Sequence, residues 1–416
     1  MGYQPKYAAK GRKPQKAPPP QKPQNSKKPS VLFILLSIVI VPVSLYLTWN
    51  LLSGMLESFG RPKPVTQQKT LDMAIEEQVD AYVRERMESA RGALLSQERP
   101  EEAPTETIPP VRKVYWIDED AQVAPEPDQS LFGQTDDPAS LQDILDRAAY
   151  LLDGQQLYFH TDVELFQNTP VRYYLDDSIF AITWKEVHEG SVYTFSEVKV
   201  SHPSQFRRHL AGGEFGSEMQ YLTTEMAASV NAVVASSGDF YRFRDFGICV
   251  YEGKVRRVEG TYAETCYIDG NGDMHFTYGG DLLDTPSAQA YVDGNDIRFS
   301  LCFGPVLVDE YQVVNHTWYG VGEINEGYAR AALCQMGPLH YIVVTANTEG
   351  PYQDIPTVAT FSKYVSATGC RMAYCLDGGQ TAAIVMNDEL INRPVYGQQR
   401  KISDIIYFAT AIPEGD

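Results

Sequence analysis

The hydrophobic positions divide the chain into an amino-terminal part and a carboxy-terminal part with different periodicities. Residues 31–52 are a long apolar run without a charged residue. Its length matches the roughly 20 residues that a helix needs to cross a bilayer, so the sequence predicts one transmembrane helix. Apolar residues at helical spacing among many charges follow at 70–96 and predict a stalk helix. A stalk of this kind could pair with a second copy as a short coiled coil and form a homodimer.

The segments that flank the apolar run indicate its orientation. Residues 1–30 are rich in Pro, Gln and basic residues and contain no acid, which is typical of a disordered tail. Positive charge before the span predicts a cytoplasmic amino terminus, a single pass through the cell membrane and an extracytoplasmic main domain. A cleaved signal peptide is the alternative. Residues 97–139 are rich in Pro and acids and predict a linker, within which 111–117 is apolar enough to be a docked strand.

Beyond the linker, short alternating segments between Gly, Asn and Asp turns predict strands, and a few segments with three-to-four spacing predict helices. The predicted helices are 141–152 with Ser140 as its cap, 203–210, 223–230, and 357–368 ending at Gly369. Strand-like runs dominate the remainder. The sequence therefore predicts an α+β domain over 140–416, with a mixed, largely antiparallel sheet and helices packed on it.

Charge and cysteine content limit the function classes. The formal net charge is −19, with 54 acidic and 35 basic residues, and the tail contributes only positive charge. An acidic body repels phosphate backbones, so the sequence predicts no nucleic-acid binding, and a polyanion would need a local group of basic residues. Six cysteines allow three disulfides in fifteen pairings or buried free thiols, and both alternatives stay open. Neither a metal site nor a cofactor is predicted, because no Cys/His spacing or nucleotide-binding motif is present.

The candidate chemistry begins at 373–394. An apolar run delivers Asp377 to the double glycine Gly378-Gly379, and a second apolar run leads away from it. A turn without side chains lets main-chain amides approach a ligand and leaves the carboxylate at the strand end accessible. A plain β-hairpin turn is the alternative interpretation of the same residues.

Five collinear blocks, at 231–257, 300–310, 330–344, 376–382 and 400–408, resemble the phosphodiester glycosidase family in order and spacing. Members of that family cleave a sugar from a sugar-1-phosphodiester, as an α-N-acetylglucosaminidase does. Bacterial members are associated with exopolysaccharide biosynthesis. The resemblance thus implies a hydrolase whose substrate is a carbohydrate phosphodiester of the envelope or of an exopolysaccharide.

The resemblance also implies site residues. Asp377 and Asp239 are the candidate catalytic carboxylates, and Arg330 is the candidate phosphate clamp. The residues implied to bind substrate are Ser237, Gly238, Gly378, Gly379, Thr381 and Glu349. A terminal element containing Arg400, Ser403 and Asp404 matches the family and is interpreted as structural.

Several site-like positions depart from the family pattern. Ser237 replaces an Asn, Ala331 replaces a Thr, and 345–348 lack the Asp and Arg of an Asp-Gly-Arg element, for which Glu349 is the nearest substitute. One hydroxyl is missing at 380–382. Three hypotheses follow. The chain is a membrane-anchored extracytoplasmic glycosidase, or a degenerate relative that binds envelope carbohydrate or a surface partner, or a cell-surface scaffold.

Overall fold

The computed structural model describes residues 114–320 and 323–413, and most of the regular structure in them is strand. Among these residues no helix is long and apolar enough to span a membrane. The predicted tail at 1–30, span at 31–52 and stalk at 70–96 lie outside the described residues. Four α-helices occur in the described part: α1 Pro138–Leu152, α2 Thr223–Ser229, α3 Thr285–Gly294 and α4 Val358–Ser366.

The strands of the described part follow in chain order. The first ten are β1 Tyr115–Trp116, β2 Phe132–Thr135, β3 Val171–Leu175, β4 Ile179–His188, β5 Ser191–Val200, β6 Phe206–Leu210, β7 Val234–Ser237, β8 Gly247–Tyr251, β9 Lys254–Glu259 and β10 Thr265–Asp269. The others are β11 Met274–Thr277, β12 Ile297–Leu301, β13 Val306–Asp309, β14 Gln312–Val313, β15 Arg330–Gly337, β16 His340–Asn347, β17 Met372–Leu376, β18 Ile384–Met386, β19 Glu389–Leu390, β20 Asp404–Phe408 and β21 Ile412–Pro413.

A nine-stranded sheet is the centre of the fold, in the order β14-β13-β17-β15-β16-β5-β4-β3-β2. Two five-stranded sheets accompany it, β11-β10-β12-β8-β9 and β19-β18-β7-β20-β6, and β1 pairs with β21. The registered pairings of these strands are antiparallel. The predicted α+β class with largely antiparallel sheets is therefore confirmed for the described residues.

The two faces of the nine-stranded sheet bury different partners. One face packs Trp184 and Phe195 against helix residues such as Ile144 and Phe361. The other face packs against the two smaller sheets, including Phe408 of β20. A buried side chain of this size contributes roughly 2–3 kcal/mol when removed from water, so both faces stabilise the layered arrangement. The arrangement places the ends of several strands from different sheets side by side.

Helix α1 begins earlier than its pattern predicts. Asp137, and not Ser140, is the N-cap, because Asp137 Oδ2 accepts from the main-chain N–H of Ser140 at 2.9 Å. Pro138 occupies the first turn, where its missing N–H costs nothing. The predicted helix 357–368 is observed as α4, with Thr357 as N-cap and Gly369 at a φ of 77° just beyond it.

The predicted helix at 203–210 is wrong. Residues Pro203–Gln205 form one 3-10 turn, and Phe206–Leu210 form strand β6. Burial alternates along β6, with Phe206, Arg208 and Leu210 inward, which is the period of two that a half-covered strand requires. This correction matters because it points Arg208 into the protein.

Two strands come from residues that the sequence assigns to the linker at 97–139. Tyr115 and Trp116 pair with Pro413 and Ile412, and Phe132–Thr135 add β2 to the edge of the nine-stranded sheet beside β3. The docked strand expected at 111–117 is thus observed as β1 in its described portion.

Candidate active site

Two turns meet where the sheets join. Strand β7, between β18 and β20, ends at Ser237, and strand β17 of the nine-stranded sheet ends just before Asp377. The chain then crosses from β17 to β18 in the neighbouring sheet. Ser237 Oγ donates to the main-chain oxygen of Asp377 at 3.4 Å and ties the two turns together. The structure therefore brings the predicted residues of 237–239 and 377–381 into one region.

The turn that carries Asp239 is held by Asp404, the first residue of β20. The main-chain N–H of Asp239 donates to both carboxylate oxygens of Asp404, at 3.1 and 3.0 Å. A Cβ atom at Gly238 would lie 2.3 Å from Asp404 Oδ2, so a side chain there would push the carboxylate away. Gly238 is thus required by the shape of the turn, and Asp404 is a positioning residue for Asp239.

The carboxylate of Asp239 is buried and accepts hydrogen bonds at both oxygens. Its Oδ1 accepts from the main-chain N–H of Phe240 at 2.6 Å. Its Oδ2 accepts from the main-chain N–H of Cys302 at 2.8 Å and from Cys302 Sγ at 3.0 Å. Cys302 follows β12, which belongs to the five-stranded sheet β11-β10-β12-β8-β9. Strand ends from all three large sheets therefore meet around Asp239 and Asp377.

Arg208 is the buried cation beside these acids. Its Nε donates to Asp404 Oδ2 at 2.8 Å, its Nη1 donates to the main-chain oxygen of Ser300, and its Nη2 lies 3.7 Å from Asp239 Oδ2. Burial alone would lower the pKa of Arg208, but the Asp404 and Asp239 carboxylates outweigh burial and raise it. Burial raises the pKa of Asp404, and Arg208 opposes that rise. One buried guanidinium thus holds two buried carboxylates in place.

Asp377 lies at the second turn, with its side chain about 10 % exposed. Its Oδ1 accepts from the N–H of Gly378 at 2.9 Å, and a Cβ atom at Gly378 would lie 2.4 Å from the main-chain oxygen of Ala329. Gly379 N–H donates to that same oxygen at 2.8 Å. Burial raises the pKa of Asp377 to about 6, while Thr381 and Arg400 oppose the rise and the nearby Asp239 carboxylate adds to it.

Arg400 contacts the Asp377 carboxylate from the solvent side. Its Nη2 donates to Asp377 Oδ2 at 3.2 Å, and its guanidinium carbon lies 5.3 Å from the centre of the Phe240 ring. The side chain of Arg400 is 46 % exposed. Its other N–H groups can therefore reach a ligand that lies against Asp377, which the sequence analysis did not expect of a residue interpreted as structural.

A second arginine lies near the Phe240 ring. The guanidinium carbon of Arg244 lies 5.1 Å from the Phe240 ring centre, 5.5 Å from Phe246 and 5.2 Å from Phe303. Aromatic faces stabilise a cation without using its N–H donors. Arg244 and Arg400 thus form a local group of basic residues beside the two turns of this otherwise acidic chain.

Arg330, the predicted phosphate clamp, starts β15 and is buried. Its Nη2 donates to the main-chain oxygens of Glu323 and Glu326, each at 2.8 Å, and its Nε donates to that of Pro356 at 3.5 Å. These bonds hold the loop before β15 in place, and they occupy the Nε and Nη2 donors of the Arg330 guanidinium. The phosphate-clamp role of Arg330 stays a prediction, and the positioning of this loop is what the structure adds.

Glu349, the predicted substitute for a missing acid, pairs with Lys185 Nζ at 3.0 and 2.8 Å. The nearby Asn347 accepts at Oδ1 from Asn392 Nδ2 at 2.8 Å. Asn392 also donates to the main-chain oxygen of Ala382 at 2.8 Å and so closes the carboxy-terminal side of the Asp377 turn. Asn392 therefore supports this turn, whereas Glu349 is engaged in an ion pair of its own.

Three residues were missed as parts of the site: Arg208, Arg400 and Asp404. Arg400 and Asp404 belong to a terminal element whose partners lie far away along the chain, so their contacts depend on strand order. Arg208 had a local signal, the alternation of apolar and polar residues in 206–210, which indicates an inward side chain if the segment is a strand. Among the residues at 114–320 and 323–413, no group of three or more His, Cys, Asp or Glu side chains is arranged to hold a metal ion.

Comparison with known sequences assigns the region that contains both turns. Residues 230–409 match the model of a protein family described as phosphodiester glycosidase. Residues 230–409 thus match a phosphodiester glycosidase domain. This finding confirms the resemblance of the collinear blocks, and the domain is of a hydrolase type. Asp239, Asp377, Arg400 and Asp404 all lie within the matched residues, whereas Arg208 precedes them.

Solved structures give distant likenesses to this chain. One is the catalytic domain of zebrafish N-acetylglucosamine-1-phosphodiester alpha-N-acetylglucosaminidase, auto-inhibited by its pro-peptide, with 16 % identity, 62 % of this chain and 92 % of that chain covered, and a TM-score of 0.42. Another is a hypothetical protein from Synechocystis, with 14 % identity, coverage of 60 % and 64 %, and a TM-score of 0.41. No curated protein matches.

Proposed function

We propose that the chain hydrolyses a sugar-1-phosphodiester, with Asp377 and Asp239 as the reacting carboxylates and Arg400 as the contact to the phosphate. The observation that carries this proposal is the pair formed by the buried Asp377 carboxylate and the half-exposed Arg400 guanidinium, whose N and O atoms lie 3.2 Å apart. A carboxylate at the anomeric carbon and a cation at the leaving phosphate are the two requirements of this chemistry.

The two carboxylates differ in how they are held. Asp239 is enclosed by main-chain and thiol donors and by Arg208, which favours a fixed orientation. Asp377 keeps one oxygen toward Gly378 and the other toward Arg400, at the more open turn. Because a phosphodiester is a fair leaving group, the reaction needs less general-acid assistance than an ordinary glycoside does. We assign the contact with the anomeric carbon to Asp377 and the support of the charged transition state to Asp239.

The cellular context is also a proposal. The uncharged run at 31–52 and the basic tail before it support a membrane anchor with the domain outside the cytoplasm. An extracytoplasmic position would bring the domain to envelope glycans or exopolysaccharide, and an α-N-acetylglucosamine-1-phosphodiester is the substrate type we would test before others. A homodimer through the stalk at 70–96 remains part of this proposal.

Replacing Arg400 by glutamine should raise KM for a sugar-1-phosphodiester and lower kcat/KM by about 10- to 100-fold, because a charged hydrogen bond to phosphate is lost. Steady-state kinetics of the purified full-length chain would measure this. Arg393→Gln is the matched control, since Arg393 donates to the main-chain oxygen of Thr348 at 3.4 Å and contacts no carboxylate among the described residues. Equal losses in the two variants would remove Arg400 from the phosphate site.

The rate should also depend on pH through Asp377. Because the pKa of Asp377 is raised by burial to about 6, kcat/KM should fall roughly tenfold per pH unit below that value if the ionised carboxylate reacts. A pH–rate profile from pH 4 to pH 8 on a substrate that does not titrate in this range gives the answer. A profile that falls above pH 6 would assign Asp377 the role of the acid instead.

The proposed function is tested directly with a panel of sugar-1-phosphodiesters, assayed for release of free sugar by the wild type, Asp377→Asn, Arg400→Gln and Arg330→Ala. Release that the Asp377 variant loses supports hydrolysis, and the two arginine variants decide which guanidinium serves the phosphate. The alternative is a catalytically degenerate relative that binds glycan. Ala331 and Ala382 support this alternative, because both are buried and stand at positions where the family carries hydroxyls. Saturable binding without any release would establish that alternative.

A further inference from the structure

Two of the six cysteines lie in contact with each other beside Asp239. Cys249 lies in β8 and Cys302 follows the neighbouring strand β12, and their Sγ atoms are 3.6 Å apart. Both side chains are buried. A disulfide bond is about 2.05 Å long, so the two sulfur atoms would have to approach each other by roughly 1.5 Å to form one.

The contacts of the two sulfurs differ. Arg257 Nη2 donates to Cys249 Sγ at 3.1 Å, a bond that a disulfide sulfur can still accept. Cys302 Sγ donates to Asp239 Oδ2 at 3.0 Å, and this bond requires the thiol hydrogen. The pKa of the Cys302 thiol is raised, by its hydrogen bond with Cys249 and by burial, so it keeps that hydrogen at neutral pH.

We propose that Cys249 and Cys302 are a disulfide site, and that closing the disulfide removes one hydrogen-bond donor from Asp239. The two thiols lose two electrons and two protons, and a small-molecule disulfide such as oxidised glutathione takes them up and becomes two thiols. Exchange proceeds through a mixed disulfide with one cysteine, which the other cysteine then attacks. The effect on Asp239 rests on the proposed function, whereas the disulfide site itself does not.

Loss of the Cys302 thiol donor affects the Asp239 carboxylate, which has few other hydrogen-bond donors nearby. In the oxidised form Asp239 Oδ2 keeps the main-chain N–H of Cys302 at 2.8 Å. A further donor near this oxygen is Arg208 Nη2, which is 3.7 Å away and, within the described residues, buried without a hydrogen-bond partner. We expect the oxidised form to turn over about fivefold more slowly than the reduced form, because a buried charge loses a donor.

The other cysteines provide internal controls. Cys334 and Cys370 are also neighbours, away from Asp239, and each shifts the pKa of the other thiol. Cys266 and Cys375 contact main-chain oxygens at 4.0 and 3.6 Å and have no thiol partner in the part of the chain that the structure describes. Cys370→Ser therefore removes the second pair without touching the first, and Cys249→Ser removes the first while leaving Cys302 free to donate.

The test incubates the purified full-length chain in glutathione buffers of increasing oxidised fraction, then quenches with acid, alkylates and maps the peptides by mass spectrometry. We expect a Cys249–Cys302 crosslink in the wild type and in Cys370→Ser, accompanied by a fivefold loss of rate that Cys249→Ser does not show. Free, alkylated Cys249 and Cys302 at every ratio would overturn the disulfide site. A crosslink with an unchanged rate would overturn the coupling to Asp239, and the mapping decides the disulfide even if no substrate is turned over.

Discussion

Replacing Asp377 by asparagine should lower kcat by at least about a thousandfold, because the variant loses the charge and proton affinity at the anomeric carbon while the side-chain shape is kept. An asparagine has only one acceptor oxygen, which keeps the bond from Gly378 N–H to Oδ1, so the turn should keep its geometry, whereas the bond from Arg400 Nη2 to Oδ2 is lost. The measurement is release of free sugar in steady state and in a single turnover. Asp388→Asn is the matched control, because Asp388 lies in a turn at a φ of 59° that asparagine also tolerates.

The pH dependence of the unfolding free energy should distinguish a loss of catalysis in Asp377→Asn from misfolding. Because the pKa of Asp377 is about 6 in the folded protein and ordinarily about 3.8, the folded state binds more protons between these values. The wild type therefore loses stability as pH rises from about 4 to about 6, by roughly 2–3 kcal/mol from this group, and Asp377→Asn should not show that part of the loss. Urea unfolding of both proteins at pH 4 and pH 7 measures the difference. A variant that is inactive and also less stable at pH 7 would contradict this explanation.

Replacing Arg208 by methionine should destabilise the fold by about 3–5 kcal/mol, because it leaves the buried Asp404 carboxylate without its cation. The loss should appear as a lower urea midpoint with an unchanged slope. Arg207→Met is the control one residue away on the opposite face of β6, where Arg207 donates to main-chain oxygens, one of them Ala121 at 2.6 Å. We expect about 1 kcal/mol or less from that change.

A second variant makes the Arg208 prediction sharper. Adding Asp404→Asn to Arg208→Met removes one of the two carboxylate charges that lost their cation, so it should recover part of the lost stability. The amide can still accept from Asp239 N–H, which now donates to Asp404 at 3.0 and 3.1 Å. If Arg207→Met and Arg208→Met lowered the midpoint equally, the buried ion pair would not be the cause.

Local patterns were sufficient for part of this picture. The α+β class follows from alternating strands and a few helical segments, and the turn at Asp377 follows from an apolar run that ends in a double glycine. The fold class and this turn are both determined by residues that are close to each other in the sequence. Asp239 was found through the resemblance, and the structure places its turn beside Asp377 through the Ser237 hydrogen bond.

The residues that local patterns could not place depend on strand order. Arg400 reaches Asp377, and Arg330 instead binds main-chain oxygens of its own loop, yet both are arginines next to strands. Arg208 was assigned to a helix at 203–210, whereas Pro203–Gln205 form a turn and the strand begins at Phe206. No local spacing distinguishes Arg400 from Arg330, since their partners depend on which sheets pack against each other.

Because strands of three sheets contribute to the surroundings of Asp239, a fragment of the chain is expected to fold only if it includes the strands that pair within these sheets. The family match at 230–409 omits β4 and β5, the two ten-residue strands at the middle of the large sheet, and β6 with Arg208. A fragment limited to residues 230–409 would lack the partner strands β5 and β6, and would therefore expose the edges of β16 and β20. Exposed strand edges promote aggregation. A fragment that starts at residue 140 would lack β1 and β2, the partners of β21 and β3. Soluble expression therefore favours a start ahead of Tyr115.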